Sequence, residues 1–201
     1  MAFNLSGILF QAKGVSARSV PVRKVPKIME KGLVQIYTGD GKGKTTAALG
    51  LAMRAAGRGF SVFMVQFLKG RQYGELESAK KLSDRFKIVQ SGLDSFVKKG
   101  EPSEEDLRLA REGLELARDA IRSGGYDIVI LDEVNVAVEL GVLKVEDVLH
   151  LIDERPVGVE LVLTGRYAPP EFCERADLIT EMKNVKHCYD VGVEMREGIE
   201  Y

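Results

Sequence analysis

Residues 38–46 combine three glycines with two lysines and three threonines, a composition suited to holding phosphate groups. Glycines at positions 39, 41 and 43 allow a tight backbone turn in which successive N–H groups point inward at phosphate oxygens. Lys44 is expected to reach the terminal phosphates, and the Thr45 hydroxyl is expected to coordinate Mg²⁺. The strict pattern has glycine six positions before this lysine, where the chain has Thr38, so the segment is a variant phosphate loop.

A second candidate group is the acidic pair Asp132 and Glu133, which directly follows an apolar run ending at Leu131. An acidic residue at the tip of a buried strand near a phosphate loop commonly holds Mg²⁺. Because side chains alternate along a strand, the two carboxylates are expected to point to opposite sides. We expect Glu133 to face the ligand and Asp132 to be a structural hydrogen-bonding acid or a water-mediated metal contact.

Other polar candidates also follow apolar runs. Arg166 closes the segment at 164–166, where a planar guanidinium suits a phosphate, although an arginine at a strand end is often only solvated. Gln66 and the Lys-Gly pair at 69–70 are expected on the same rim. His187 is a candidate for a hydrogen bond to a ligand, although a lone histidine is more often structural.

The elements that must position these residues alternate between apolar runs and helical patterns. Strands are predicted at residues 33–37, 61–67, 87–90, 126–131, 159–163 and 178–182. Helices are predicted at 44–57, 135–140 and 144–153, with a longer one capped by Ser103 and stopped by Gly124. This alternation predicts an α/β fold, three-layer and P-loop NTPase-like (RecA-like), with a mostly parallel central sheet of five to six strands. In such sheets, ligands bind at the carboxyl ends of the strands.

Composition restricts the class of protein. A chain of 201 residues that is 45% hydrophobic and 29% charged suits one soluble globular domain. No apolar run approaches the roughly 20 residues of a membrane helix, so we expect no membrane association. The two cysteines, Cys173 and Cys188, form neither a disulfide framework nor a metal-ligand spacing, and we expect a reducing, cytoplasmic location.

Residues 1–31 differ from the rest in charge, since they carry six basic side chains and one acidic side chain. The remaining 23 basic and 29 acidic side chains give residues 32–201 a net charge of −6, which argues against nucleic-acid binding. We interpret residues 1–31 as a loosely ordered basic arm and residues 32–201 as the P-loop α/β domain. The alternatives for the arm are a segment that folds over a bound ligand and an organelle transit peptide.

The residues alone predict a Mg²⁺-dependent binder of a nucleoside triphosphate. They leave three reactions open: hydrolysis, phosphoryl transfer to an acceptor, and use of the triphosphate as a leaving group. Each of these needs the same phosphate cradle.

An ordered set of short motifs resembles the ATP:corrinoid adenosyltransferase family of cobalamin synthesis and salvage. In chain order the resembling segments are 39–46, 65–70, 74–75, 131–133, 155–156, 164–166, 176–177, Glu181, 185–187, 190–192 and 198–201. The resemblance implies transfer of the 5′-deoxyadenosyl group of ATP to the Co(I) of a corrinoid, with release of triphosphate. It also implies ATP bound in a reversed sense relative to ordinary P-loop enzymes.

The resemblance also implies roles for individual residues. Phosphate binding is implied for Gly39, Asp40, Gly41, Lys42, Gly43, Lys44, Thr45 and Thr46. Thr45 and Glu133 would hold Mg²⁺ or Mn²⁺, and Lys44, Glu133 and Arg166 would be catalytic. Arg54 would assist at the triphosphate, and Gln66 and His187 would lie near the nucleotide or the corrinoid. The implied partners are a second copy of the chain and an electron-transfer protein, such as a flavodoxin, as reductant.

One departure from the family pattern concerns the acceptor side. Relatives carry a Phe and a Trp, two residues apart, after the third strand, where they press on the lower face of the corrin. This chain has Leu93 and Ser95 at those positions and contains no Trp. Either Phe96 takes over this contact or the protein activates its corrinoid less well. The alternatives to an adenosyltransferase are an ordinary P-loop ATPase or phosphotransferase and a non-catalytic, ATP-gated corrinoid carrier.

Overall fold

The computed structural model describes residues 29–82 and 84–201. The predictions made for the first 28 residues of the basic arm therefore lie outside the described residues and stay predictions.

Six parallel strands form one sheet, in the order β3-β2-β4-β5-β1-β6. The strands are β1 Val34–Thr38, β2 Val62–Phe67, β3 Phe86–Ser91, β4 Ile128–Asp132, β5 Glu160–Thr164 and β6 Leu178–Glu181. The sequence prediction of a mostly parallel sheet is confirmed, and each predicted strand is present. Largely apolar runs produce β2, β4 and β5, whose residues are all buried because helices cover both faces of the sheet.

Helices cover the two faces of the sheet. They are α1 Lys44–Gly57, α2 Gly74–Leu82, α3 Glu104–Arg122, α4 Val134–Glu139, α5 Val145–Asp153 and α6 Pro170–Arg175, followed by a 3₁₀ turn at Cys188–Val191. The Ser103 cap is confirmed, since its hydroxyl accepts a hydrogen bond from Asp106 N in a capping box. The sequence prediction did not include α2 and α6. Both are short, and α2 is mostly polar, so hydrophobic periodicity signals them weakly.

Two apolar cores lie on opposite faces of the sheet because alternate strand residues point to opposite sides. On one face, Phe63 and Val65 of β2 pack in the cluster that contains the apolar stripe of α3. On the other face, Met64 packs in the cluster that contains Ala48 and Ala52 of α1. Within residues 29–82 and 84–201, no helix combines the length and apolar character needed to cross a bilayer.

The strand ends are aligned at one edge of the sheet, which we call the carboxyl edge. The register pairs Gln66 of β2 with Asp132 of β4, and Tyr37 of β1 with Thr164 of β5. Strand β5 lies between β1 and β4. The phosphate loop after β1 and the acidic pair after β4 are therefore separated by the width of one strand.

Positive backbone φ angles cluster at the carboxyl edge. The residues directly after β1, β2, β4 and β5 are Gly39 (φ 95°), Leu68 (57°), Glu133 (61°) and Gly165 (131°). Two of these residues, Leu68 and Glu133, are not glycines and pay a steric cost in this region. Such strain is typical of sites where function dictates the direction of the chain.

Two of the resembling motifs lie at the opposite, amino edge of the sheet. Arg155 Nη1 donates to the carbonyl oxygens of Gly32 (3.2 Å) and Val159, which precede β1 and β5. Asp177 Oδ2 accepts a hydrogen bond of 2.9 Å from Val34 N. These hydrogen bonds hold the first residues of β1 and β5 in place, so the motifs that contain Arg155 and Asp177 have a structural role.

Candidate active site at the carboxyl edge of the sheet

The phosphate loop, residues 39–46, joins β1 to α1 and wraps around the side chain of Lys44. This side chain is buried, and its Nζ donates hydrogen bonds of 2.7 Å to the carbonyl oxygens of Gly39 and Gly41. Burial lowers the pKa of Lys44; Glu133 opposes the shift and Arg166 adds to it. Lys44 thus occupies the centre of its own loop, where phosphate oxygens could replace the two carbonyl groups.

The end of β6 supports the phosphate loop from behind. Gly41 N donates to the Met182 carbonyl oxygen (2.7 Å), and a Cβ atom at Gly41 would lie 2.7 Å from the Lys183 carbonyl oxygen. Gly43, at φ 121°, directly precedes α1. Glycine is therefore required at position 41 for close packing and at position 43 for the turn, which adds a packing reason to the one predicted from phosphate binding.

The acidic pair lies at the end of β4: Asp132 is the last residue of the strand, and the backbone turns at Glu133. Asp132 is fully buried, and its Oδ1 accepts a hydrogen bond of 2.7 Å from Thr164 Oγ1. The same hydroxyl accepts a hydrogen bond of 3.0 Å from Glu133 N. Asp132 therefore makes the hydrogen bonds expected of a structural acid, and a water-mediated metal contact stays a prediction. The backbone of Glu133 turns into the left-handed region directly after it.

The Glu133 carboxylate lies within electrostatic range of Lys44, Lys69 and Arg166. Burial, followed by the charge of Asp132, raises the pKa of Glu133, while Lys69, Lys44 and Arg166 oppose this shift. Among the described residues, no side chain donates a hydrogen bond to its carboxylate. The raised pKa marks a carboxylate whose burial the three neighbouring cations do not fully offset, so a bound cation at this position would further stabilise its charged form.

Arg166 follows β5 and completes the group. Gly165, at φ 131°, turns the chain, and its carbonyl oxygen accepts a hydrogen bond of 3.0 Å from the buried Asn135 Nδ2. The guanidinium of Arg166 is solvent-exposed, and its charge acts on both Lys44 and Glu133. Lys44, Glu133 and Arg166 follow three neighbouring strands and lie close enough for their charges to act on one another. Their roles in the reaction stay predictions.

Two residues predicted to contact phosphates, Lys42 and Arg54, are not grouped with Lys44, Glu133 and Arg166. Lys42 Nζ donates to Glu200 Oε1 (2.7 Å) and to the Ile199 carbonyl oxygen (3.1 Å), so it is engaged by the C-terminal segment. Arg54 lies in the last turn of α1, roughly 15 Å along the helix axis from Lys44. The structure does not bring Arg54 to the loop, and its role at the triphosphate stays a prediction.

Gln66 and His187 are both engaged with protein groups. Gln66 is fully buried, and its Nε2 donates to Glu75 Oε1 at 2.9 Å. His187 Nδ1 accepts a hydrogen bond of 3.1 Å from Tyr189 N and so caps the 3₁₀ turn. This bond leaves Nε2 to carry the hydrogen of a neutral ring. Contacts of either residue with a ligand stay predictions.

The loop after β3 carries the residues predicted for the acceptor side. Leu93 is half-buried and Ser95 is exposed, while the ring of Phe96 is 94% exposed. This loop packs against the loop after β2, where a Cβ atom at Gly70 would lie 2.7 Å from the Leu93 carbonyl carbon. Nearby, the loop after β2 and the C-terminal segment line an open cleft of about 560 Å³. It is lined by Arg71, Gln72, Tyr73, Tyr189, Glu194, Met195 and Tyr201.

Two polar residues that shape the site received no role from the sequence: Glu75, which was noted only within the resembling segment 74–75, and Asn135. Glu75 accepts a hydrogen bond from Gln66 at the start of α2, and Asn135 holds the Gly165 carbonyl group. Asn135 was placed in a predicted helix only. An asparagine in an otherwise apolar stretch beside the acidic pair was the available signal, since buried polar side chains need partners.

The described residues contain no group of three or more His, Cys, Asp or Glu side chains placed to hold a metal ion. A divalent cation at this edge would therefore take its remaining ligands from phosphate oxygens and water, as Mg²⁺ does in nucleotide sites. Thr45, in the first turn of α1, and Glu133 are the oxygen donors that suit such a cation.

Comparison with known proteins adds an independent finding. The family described as ATP:corrinoid adenosyltransferase BtuR/CobO/CobP matches residues 30–201. The corrinoid adenosyltransferase of Escherichia coli K12 is 36% identical over 173 residues, which covers 86% of this chain and 87% of that protein. The corrinoid adenosyltransferase of Pseudomonas aeruginosa is 33% identical, with coverage of 86% and 85%.

Among solved structures, the flagellar accessory protein FlaH from Methanocaldococcus jannaschii matches with a TM-score of 0.52 and 14% identity. The match covers 76% of this chain and 72% of that chain. At this identity the likeness concerns the fold alone, and it agrees with the predicted α/β architecture.

Proposed function

The chain belongs to the ATP:corrinoid adenosyltransferase family, and we propose how its residues divide the reaction between two regions of the carboxyl edge. The chain is an enzyme that transfers the 5′-deoxyadenosyl group of ATP to the Co(I) of a corrinoid. The cobalt electron pair forms the cobalt–carbon bond, and the bond from C5′ to the triphosphate oxygen breaks with its electrons. Triphosphate leaves intact, so neither a proton nor an oxidant is needed for balance.

On the leaving-group side, the phosphate loop binds the triphosphate. Negative charge grows on the leaving oxygen, so fixed N–H groups, Lys44 and Arg166 lower the barrier by meeting charge that is absent from the ground state. Lys44 exchanges its two carbonyl partners for phosphate oxygens when ATP binds. The observation that carries this assignment is the grouping of Lys44, Glu133 and Arg166 from three strand ends.

Thr45 and Glu133 would hold Mg²⁺ or Mn²⁺ on the same side. The fit rests on the chemistry of two hard oxygen donors, and on a half-buried Glu133 carboxylate whose pKa is raised by burial and by Asp132. When bound, the metal ion offsets the charge of the triphosphate. The hydrogen bond from Glu133 N to Thr164 Oγ1 fixes the backbone at this turn, so the Glu133 carboxylate would hold the metal ion at a fixed position.

On the acceptor side, the loop at 92–96 contacts the corrinoid, with Leu93 and Phe96 as the apolar surface. The exposed ring of Phe96 supports this assignment, because a fully solvated aromatic side chain on the rim of a site is available for stacking. His187 lies on the nucleotide or corrinoid side. The protein supplies orientation, and the nucleophile belongs to the corrinoid.

The partners implied by the family complete the proposal. A homodimer is supported by exposed apolar side chains on β6 and the C-terminal segment, among them Ile179, Val185 and Val191. An electron-transfer protein such as a flavodoxin would be the reductant. We place the protein in the cytoplasm, because its two free thiols suit a reducing compartment.

The test is an anaerobic assay with ATP, Mg²⁺ and chemically reduced corrinoid, which follows the corrinoid spectrum and the phosphate products together. We expect a light-sensitive adenosylcorrinoid with an equimolar amount of triphosphate. ADP or inorganic phosphate without a corrinoid change would support an ordinary ATPase or phosphotransferase. Binding of both ligands without product would support a corrinoid carrier.

Variants in the same assay test the residue assignments. Lys44→Ala should reduce turnover about 100- to 1,000-fold, as expected for a lost electrostatic donor, and should weaken ATP binding. Lys81→Ala, on the exposed last turn of α2, is the matched control and should behave like the unaltered protein. Normal turnover of Lys44→Ala at low ATP would refute the assignment of the loop.

A further inference from the structure

Side chains at the carboxyl edge connect three neighbouring strands through a buried polar network. Thr164 of β5 bonds to Asp132 of β4 and to the backbone of Glu133. Asp132 Oδ2, on the other side, accepts a hydrogen bond of 2.8 Å from Lys69 Nζ in the loop after β2. Gln66 Nε2 lies 3.4 Å from the same oxygen. The network therefore runs from the loop after β2 to the backbone of Glu133.

Lys69 is the cationic member of this network, and negative charge surrounds it. Its side chain is 15% exposed, and its ammonium also lies 3.9 Å from Glu75 Oε1 and 5.1 Å from the centre of the Tyr73 ring. Burial alone would lower the pKa of Lys69, but Asp132, Glu133 and Glu75 outweigh burial and raise it. Lys69 therefore stays charged at neutral pH and keeps its ion pair.

The loop that carries Lys69 is fastened to the loop on the acceptor side. The backbone turns at Leu68 (φ 57°), and a Cβ atom at Gly92 would lie 2.5 Å from Lys69 N. Arg71 and Asp94 form an ion pair between the same two loops. The residues at 68–71 and 92–94 thus pack backbone against backbone, and a shift of one loop requires a shift of the other.

We infer that Lys69 is a positioning residue, which holds the paired loops 68–71 and 92–94 at a fixed distance from the turn at Glu133. The inference rests on the proposed function, because that function puts the triphosphate on the Glu133 side and the corrinoid on the side of loop 92–96. Displacement at C5′ requires cobalt and carbon in near-attack geometry, and a misplacement of about 1 Å costs on the order of 100-fold in rate. Lys69 therefore controls the rate of transfer rather than the affinity for ATP.

The experiment compares Lys69→Met with the control Lys81→Met in the Co(I) assay, well below the unfolding temperature of either variant. Lys69→Met should lower kcat about 100-fold, with the dissociation constant of ATP changed less than about threefold. Lys81→Met should leave both values unchanged. Amide hydrogen exchange supplies a readout besides activity, since exchange at residues 92–96 should accelerate while residues 39–46 keep their protection.

Removing Lys69 alone leaves Asp132 buried and unpaired, which also destabilises the fold. The double variant Lys69→Met/Asp132→Asn removes the unpaired charge and should recover much of the lost thermal stability. We expect its kcat to stay low, because the link between the loops is still missing. Recovery of kcat together with stability would overturn the inference and leave Lys69 with a stabilising role only.

Failure of the inference is distinguishable from failure of the proposed function. Glu133→Gln tests the proposed function in the same assay and should lose activity whatever the role of Lys69. If Glu133→Gln is inactive and Lys69→Met is fully active, only the positioning role of Lys69 is wrong. If Glu133→Gln turns over normally, the assignment of the triphosphate side is wrong, and the positioning role falls with it.

Discussion

At the scale of single residues, the site contains charged side chains whose burial is not fully compensated by opposite charges when no ligand is bound. Lys44 is buried against two carbonyl groups, and the half-buried Glu133 lies next to Asp132. In the described part of the chain, neither charged side chain has a strong ion-pair partner. The Lys44 ammonium therefore remains available to a triphosphate, and the Glu133 carboxylate remains available to a cation. Such sites commonly cost stability in exchange for function.

Glu133→Gln should therefore stabilise the protein measured without Mg²⁺, although it inactivates the enzyme. Because the pKa of Glu133 is raised in the folded state by burial and by Asp132, the folded protein binds more protons than the unfolded chain above about pH 4.3. Stability of the unaltered protein thus falls as pH rises from there to the raised pKa, and then levels off. The stability advantage of Glu133→Gln should grow over this window in thermal unfolding at several pH values.

The control for this measurement is Glu174→Gln, on the exposed face of α6. Its unfolding temperature should follow that of the unaltered protein at every pH. A Glu133→Gln variant that is less stable at pH 8 than the unaltered protein would show that the neighbouring cations outweigh burial.

Phe96→Ala tests the aromatic contact on the acceptor side. The ring is 94% exposed, so its removal should leave the unfolding temperature unchanged. Turnover that starts from Co(II) corrinoid with a reductant should fall more than turnover that starts from chemically prepared Co(I). Equal losses in the two assays would mean that Phe96 does not assist reduction.

At the scale of elements, the end of β6 and the phosphate loop behave as one unit. Gly41→Ala would place a Cβ atom 2.7 Å from the Lys183 carbonyl oxygen, which is too close for any real contact. We expect a loss of about 1–3 kcal/mol in the free energy of unfolding and weaker ATP binding, because the loop must shift. Denaturant unfolding and ATP titration measure the two effects.

The matched control is Gly50→Ala in the interior of α1, where a Cβ atom would meet nothing within 4 Å. It should stabilise the protein by about 0.5–1 kcal/mol, since alanine favours helix more than glycine does. Equal behaviour of the two variants would contradict the packing role of Gly41.

The sequence predicted the strands, the phosphate loop and the acidic pair because each has a local signal: an apolar run, glycine spacing or a strand-terminal acid. It did not predict that Lys69 reaches Asp132, or that Lys42 is held by Glu200, because these pairs are 63 and 158 residues apart in the chain. Long-range pairs depend on strand order. The order was not predicted from the sequence, because periodicity carries no information about neighbouring strands.

At the scale of the whole molecule, the C-terminal segment contributes to the site from the far end of the chain. Glu200 accepts hydrogen bonds from Arg196 and from Lys42 of the phosphate loop, and these bonds lower the pKa of Glu200 to about 2. The segment also forms one wall of the cleft beside the loop after β2. The described chain thus closes on itself around the carboxyl edge.

Deletion of residues 1–25 tests the arm, for which only the sequence prediction is available. We expect slower turnover with an unchanged fold, since the sheet and its core are built from residue 34 onward. Circular dichroism and the Co(I) assay, compared with the full chain, measure the two effects. Unchanged turnover after the deletion would show that residues 1–25 take no part in catalysis.

The strand order also has a consequence for biosynthesis. Strand β1 leads into the phosphate loop, yet its only partners in the described sheet are β5 and β6, which begin at Glu160 and Leu178. A ribosome therefore releases β1 more than 100 residues before any strand can pair with it. During that interval the nascent chain carries an apolar segment without a neighbour, the kind of segment that chaperones protect. Nucleotide binding should then appear only after β5 and β6 have been synthesised.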